Sequence, residues 1–384
     1  MESRFTTKVF TFFLFPLMIL PFVRFGATDN SATSRAGSLA EIGHMQIARA
    51  SHSSTLLPDG RILIAGGFGG SGTESNPYRS TEIYDPRTGS FQTTGNMTIG
   101  RSGHTATFLK NGKLLIAGGW TGRYNVRRSA ELYDPATGVF TPTGEMVIER
   151  AGNTAALLPD GKVLVAGGED RSENALASAE VYDPTTGKFT RTGDMAEPRG
   201  EATATGLRNG KVLIVGGGSG HYPSQSVYRS AELYDPATGK FTSTGQMSVG
   251  RHKHAAVLLA SGKVLVVGGS DNRDWHGEYS SAEIYDPATG AFSATGGMST
   301  SRFKLPYAVA LLANGTVLVA GGGSFAEVYD ETKGSFNKVE GSLGSARFFA
   351  SATVLPDGKT LITGGYAETG GNLPSTSGAW IYRP

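Results

Sequence analysis

Arg101-Ser-Gly-His-Thr-Ala-Thr-Phe-Leu-Lys-Asn-Gly-Lys-Leu-Leu-Ile-Ala-Gly-Gly119 and, after a short loop, Ala130-Glu-Leu-Tyr-Asp-Pro-Ala-Thr-Gly-Val-Phe-Thr-Pro142 decide the fold. His104 to Leu109 is a run of small and apolar residues, and Asn111-Gly112 is a tight turn because both positions tolerate positive φ. Lys113 to Ala117 is apolar, too short for a helix and bounded by turn residues, so it reads as a strand. Gly118-Gly119 ends it where backbones pack closely. Ala130 to Asp134 is a third strand, Pro135 to Gly138 a turn, and Val139 to Pro142 a fourth strand around Phe140. Four antiparallel strands make one unit.

The unit recurs. Gly-Gly pairs begin at Gly66, Gly118, Gly167, Gly216, Gly268, Gly321 and Gly364, spaced 43 to 53 residues apart. An arginine precedes each pair, at Arg49, Arg101, Arg150, Arg199, Arg251, Arg302 and Arg347. Glu-x-Tyr-Asp follows six of the seven. A period near ~50 residues with several short strands per copy predicts an all-β, seven-bladed propeller of four-stranded antiparallel blades. The ends are incomplete in complementary ways. Ala379-Trp-Ile-Tyr382 is a third strand without a fourth, and Gly37 to Met45 matches the fourth-strand stretch Gly89 to Met97. The N-terminal strand is therefore expected to close the last blade and leave no open edge.

The repeat resembles the kelch motif in its Arg-x-x-His, Asp/Asn-Gly-Lys, Gly-Gly and Tyr-Asp elements, over roughly residues 38–384. It departs from the usual pattern in carrying Phe91, Phe140, Phe189, Phe241, Phe292 and Phe336 where kelch repeats often have Trp. The resemblance extends to galactose-oxidase-like propellers, whose copper site uses a Cys–Tyr crosslink. This chain has no cysteine, so that radical chemistry is not expected, and neither is a disulfide or a thiolate metal site.

Residues 1–27 look like a signal peptide or N-terminal anchor, with Arg4 and Lys8 ahead of an apolar run from Val9 to Val23. Residues 28–36 read as a linker and 37–384 as the propeller. The expected location is secreted or cell envelope (periplasm or cell surface), the alternative being anchorage by residues 9–25. Without residues 1–27 the chain carries 32 basic and 32 acidic residues. That balance argues against a nucleic-acid partner, which normally calls for a positive excess. A monomer is expected.

Up-and-down connectivity puts the near-identical Asp-Gly and Asp-Pro-Ala-Thr-Gly turns on one face and the variable loops on the other, where binding usually sits. The candidate binding residues are Trp120, Arg123, Tyr124, Tyr222, Arg273, Asp274, Trp275, Tyr279 and Lys304. Aromatic faces flanked by hydrogen-bonding groups suit sugar rings or peptide segments. The sixth loop, Gly323-Ser-Phe325, is short and should leave a dip in the rim beside the long fifth loop.

The recurring Arg and Glu read as mutual structural partners, because buried charges need them. Trp380 stands where the seventh Glu belongs, so one Arg should lack its partner. The third residue after each Arg is His52, His104, Asn153, Ala202, His254 and Ala350, with Tyr307 near this slot in the sixth unit. These histidines are not expected to bind metal, and no cofactor is implied. Just before the slot, Glu201, His252, Lys253 and Lys304 break the small-residue pattern of Ser51, Gly103 and Gly152, and cluster on units four to six. They are a candidate polar site at a channel mouth. The favoured function is a non-catalytic module for a glycan or protein ligand. The alternative is a carbohydrate-active enzyme, similar to kelch-type sugar mutarotases or epimerases, with Glu201, His252 and Lys253 as acid/base groups.

Overall fold

In the computed structural model, residues 36–70, 77–122, 125–220, 224–367 and 374–384 are described. The leader and residues 28–35, and the candidates Arg123, Tyr124 and Tyr222, lie outside them. Among the described residues no helix is long and apolar enough to cross a membrane.

Seven four-stranded antiparallel sheets follow one another along the chain. The second blade is typical. Thr105–Phe108 pairs with Leu114–Ala117, which pairs with Ala130–Asp134, which pairs with Val139–Pro142. The first strands of successive blades touch in order around the ring, and the seventh touches the first. All four residues of the second strand are buried in six blades, as in Leu114–Ala117 and Val163–Ala166. Both faces of that strand pack against neighbouring blades, so it reads as a continuous apolar run and not as an alternation.

Repeated contacts lock blade to blade. The Tyr of each Tyr-Asp pair packs on the last-strand Phe of its own blade, at 4.7 to 4.9 Å between ring centroids. Its hydroxyl reaches back to a Thr that follows the previous blade, as in Thr143–Tyr182 at 2.8 Å and Thr244–Tyr285 at 2.9 Å. Phe therefore fills the site where related repeats often place Trp, without any change of topology.

The ring closes as expected. Ser38–His44 pairs antiparallel with Gly378–Arg383, setting Leu39 opposite Tyr382 and Glu41 opposite Trp380. A bulge between Glu41 and Gly43 bends the strand. Leu39 N–H also donates to the Glu340 carbonyl at 2.8 Å, which ties the closing strand to the end of the sixth blade.

Candidate functional site

The recurring Arg and Glu are structural. In six blades they form buried ion pairs of 2.8 to 3.2 Å, from Arg49–Glu82 to Arg302–Glu327. Each Arg also donates to the carbonyl of the first glycine of its pair, as Arg150 does to Gly167 at 2.7 Å. The carboxylate accepts backbone N–H groups from the segment entering the blade, as Glu180 does from Val147 and Ile148. Every charge is thus paired and hydrogen-bonded, the condition for tolerable burial. Among the described residues, Arg347 is the member with no carboxylate in ion-pair contact. Its guanidinium donates to the Leu343 carbonyl and stacks 5.1 Å from the Trp380 ring.

Two residues after each arginine the backbone turns left-handed. Ser51, Gly103, Gly152, Glu201, Lys253, Lys304 and Phe349 all have φ between 52° and 58°. They form a ring at the channel mouth, in which N–H groups donate to the carbonyl of the equivalent residue one blade back. Those bonds run Phe349 to Lys304, Ser51 to Phe349, Gly103 to Ser51, Gly152 to Gly103 and Glu201 to Gly152. Among the described residues the series breaks between Glu201 and Lys253, and Leu305, not Lys304, donates to Lys253. Five non-glycine residues hold a conformation that costs each on the order of 1 kcal/mol. Such strain concentrates at functional sites, and here it projects charged side chains into the mouth.

Beside this ring lie the residues that follow the Gly-Gly pairs, bridged in six blades to the residue after each arginine. The bridges are Ala50–Phe68, Ser102–Trp120, Ala151–Glu169, Gly200–Gly218, His252–Ser270 and Phe348–Tyr366. These positions are therefore aromatic on blades seven, one and two, and carry Glu169, Gly218 and Ser270 on blades three to five. Trp120 explains the two ring glycines. A Cβ on Gly103 would lie 2.3 Å from the indole, and one on Gly152 would lie 3.0 Å from it. Together the ring and the residues beside it enclose a cavity of about 390 Å³, lined by Trp120, Phe68, Tyr366 and Phe349 on one side and Glu201, Lys253, Lys304 and Tyr307 on the other.

The charged side is a connected network. His252 is fully buried, and its Nδ1 lies 3.1 Å from Glu201 Oε2. Carboxylates only accept, so the bond to Glu201 forms in the tautomer with the proton on Nδ1, which the more distant Gln225 Nε2 at 3.5 Å then cannot address as a donor. Lys253 Nζ donates to Asp274 Oδ1 at 2.8 Å and sits 3.7 Å from Glu201 Oε2. Burial would raise the Glu201 pKa, but Lys253, His252 and Lys304 override it and hold the carboxyl at about 2. Lys304 shows the opposite balance. Burial, reinforced by Lys253, lowers its ammonium to about 8 against the pull of Asp274 and Glu201. Its Nζ lies 3.7 Å from the Trp275 ring centroid and 4.7 Å from that of Phe303. Burial and the nearby Glu201 push the Tyr307 hydroxyl to about 12. Burial, with Glu201 and Glu173 adding repulsion, pushes Glu169 to about 8.

Of the residues singled out in the sequence, Trp120, Glu201, Lys253 and Lys304 meet at this cavity, with His252 and Asp274 directly behind. Trp275 packs edge-on against Phe303 and Phe348. With His276, Glu278, Ala346 and Phe348 it lines a separate depression. Arg273 is elsewhere, paired with Asp271 at 2.7 Å, and Tyr279 lies against the Arg251 guanidinium at 5.1 Å. The placement of Tyr307 near the third-residue slot needs correction. Leu305 fills that slot, against Gly268 as His104 fills it against Gly66, and the extra residues carry Tyr307 into the cavity wall. The slot histidines join blades. His104 bonds Ser53 at 3.0 Å, His254 bonds Thr203 at 3.0 Å, and His52 bonds Ser351 and Thr363.

Sequence reasoning missed Phe68, Phe349 and Tyr366. The signal was present: aligning the copies on their Gly-Gly pairs and arginines places Phe68, Trp120 and Tyr366 in one column and Phe349 in another.

A family model described as "Kelch motif" matches residues 49–98, 100–147, 150–196 and 251–299, just over half of the chain. No curated protein matches. Among solved structures, one described as "Novel fungal alcohol oxidase with catalytic diversity among the AA5 family, in complex with copper" superposes with a TM-score of 0.72 and 18% identity, covering 91% of this chain and 76% of that one. Another, described as "Structure of YjhT", gives a TM-score of 0.54 and 17% identity over 64% of this chain and 84% of that one. At such identities the likeness is one of fold. The four matched repeats, with the seven-bladed ring they help build, make this chain a member of the kelch-repeat family.

Proposed function

We propose that this protein is an exported propeller that binds a saccharide at the channel mouth of its variable-loop face. The observation that carries the reading is the division of one cavity into an aromatic half and a charged half. A sugar ring has apolar C–H faces and a rim of hydroxyls, which suits an aromatic surface such as Trp120 opposite donors and acceptors such as Lys253, Lys304, Tyr307 and Glu201. About 390 Å³ is the size of a small-ligand site. Export rests on the basic start and apolar run of residues 4–23. Saturation-transfer NMR and a glycan array with the purified protein test the reading. Binding that Trp120→Ala weakens tenfold or more supports it. Failure to bind any saccharide sinks it and turns the search to protein partners.

A second reading has its own observation. Glu201, a carboxylate, and Tyr307, a phenol, line the same cavity, so that a sugar held there would meet a proton acceptor and a proton donor. In that case the bound sugar would change its anomeric or epimeric form, with Glu201→Gln abolishing turnover. Exchange NMR at equilibrium, in which a pure binder leaves the interconversion rate unchanged, separates the two readings.

A further inference from the structure

Lys304 is the one lysine that is buried among the described residues, at 6% exposure. It sits on the left-handed ring, at φ 55°, and so is carried by the frame of the channel and not by a loop tip. Aromatic rings surround its amine. The Nζ lies 3.7 Å from the ring centroid of Trp275, 4.7 Å from that of Phe303 and 5.7 Å from that of Tyr366. Its carboxylate contact is a loose one. Asp274 Oδ2 is 3.8 Å away, while Asp274 Oδ1 is committed to Lys253 at 2.8 Å. Unlike His252 Nε2 and the Nδ1 atoms of the slot histidines, the Lys304 nitrogen is not sealed from open space. The space that Lys304 borders is the cavity, not the depression beside Trp275.

We propose that Lys304 is an amine nucleophile that takes up an aldehyde from the cavity, reversibly, as a protonated imine. A lysine becomes nucleophilic near neutral pH when its amine is desolvated and a second cation stands beside it. The aromatic rings supply the first condition and Lys253 the second. Burial and Lys253 bring the Lys304 ammonium to about 8, against the pull of Asp274, Glu201 and Glu278. The step balances without an oxidant or reductant. The neutral amine adds to the carbonyl carbon, and one amine proton passes to the oxygen. A proton from solvent then lets that oxygen leave as water, and the nitrogen lone pair closes the C=N bond. The net change is ammonium and aldehyde to protonated imine and water. The product keeps the positive charge it replaces, so the aromatic faces and Asp274 favour it as they favour the ammonium. The site goes beyond the saccharide reading and does not require it.

The test incubates the purified protein briefly with propanal and sodium cyanoborohydride, which fixes an imine as a propyl amine, and maps the modified lysines by mass spectrometry. At pH 7 Lys304 should be modified about tenfold or more faster than the exposed Lys188 and Lys240. That lead should shrink as pH rises toward 10, where exposed lysines also lose their protons. Lys253→Met, which removes the neighbouring cation, should cut the lead severalfold in a variant that melts as wild type does. Modification of Lys304 no faster than of Lys188 and Lys240 overturns the proposal and makes Lys304 a structural cation held by its rings and Asp274. A lead that Lys253→Met leaves unchanged overturns it as well. The map of the wild-type protein decides the matter even where the variant fails to fold. Propanal carries no hydroxyl, so this result is independent of the saccharide titrations and the two readings fail separately.

Discussion

Arg150 and Arg347 occupy equivalent positions with different consequences. Arg150 is fully buried and shares its charge with Glu180, so removing either partner strands the other in a low-dielectric interior. Glu180→Ala should lower unfolding free energy by about 3–5 kcal/mol, read by urea denaturation. Arg347 has no carboxylate to strand and rests on Trp380, so Arg347→Ala should cost only about 1 kcal/mol in the same assay. Equal losses would remove the distinction. At the mouth, Trp120 fills the space that glycine leaves at Gly103 and Gly152, and truncation should act on binding more than on folding. Trp120→Ala should weaken saccharide affinity by about 1.4 kcal/mol or more, a factor of ten, with the denaturation midpoint less affected.

The seams between blades make the protein sensitive to acid. His52, His104 and His254 are each held near a pKa of about 3, mainly by burial and then by the neighbouring arginine of their own blade. Their folded values lie below the ordinary value of 6.5, so the unfolded chain binds more protons between these limits. The stability they contribute is complete above pH 6.5 and is lost as pH falls toward 3, on the order of 1 kcal/mol per pH unit for each histidine. Urea midpoints should therefore drop between pH 7 and pH 5, and His104→Phe should flatten the slope. A flat profile in the wild type would contradict the buried, neutral assignment. The same elements show what could be read in advance. Strands, turns and blade number were legible because seven copies repeat the same apolar runs and Gly-Gly pairs. Glu201, Lys253 and Lys304 stood out as departures from the repeat, and Trp120 as an aromatic residue of a variable loop. Phe68, Phe349 and Tyr366 can be found by aligning the copies, but that they form one wall with Trp120 follows only when the ring brings their blades together.

For the molecule as a whole, one strand carries the closure. Ser38–His44 pairs with Gly378–Arg383, Tyr382 donates from its hydroxyl to the Ala36 carbonyl at 3.0 Å, and Leu39 joins the apolar cluster shared by blades six and seven. Deleting residues 37–45 should expose a sheet edge as well as remove that packing. The expected result is a loss of stability far beyond the strand's length, with a lowered melting temperature and concentration-dependent association by light scattering. A deletion variant that melts like the full ring would mean closure rests on the other seams alone. The same feature sets the order in which the chain can become itself. Ser38–His44 must wait for Gly378–Arg383, some 340 residues further along the chain, before either has its partner. A growing chain therefore cannot complete its ring until residues 378–383 have been made.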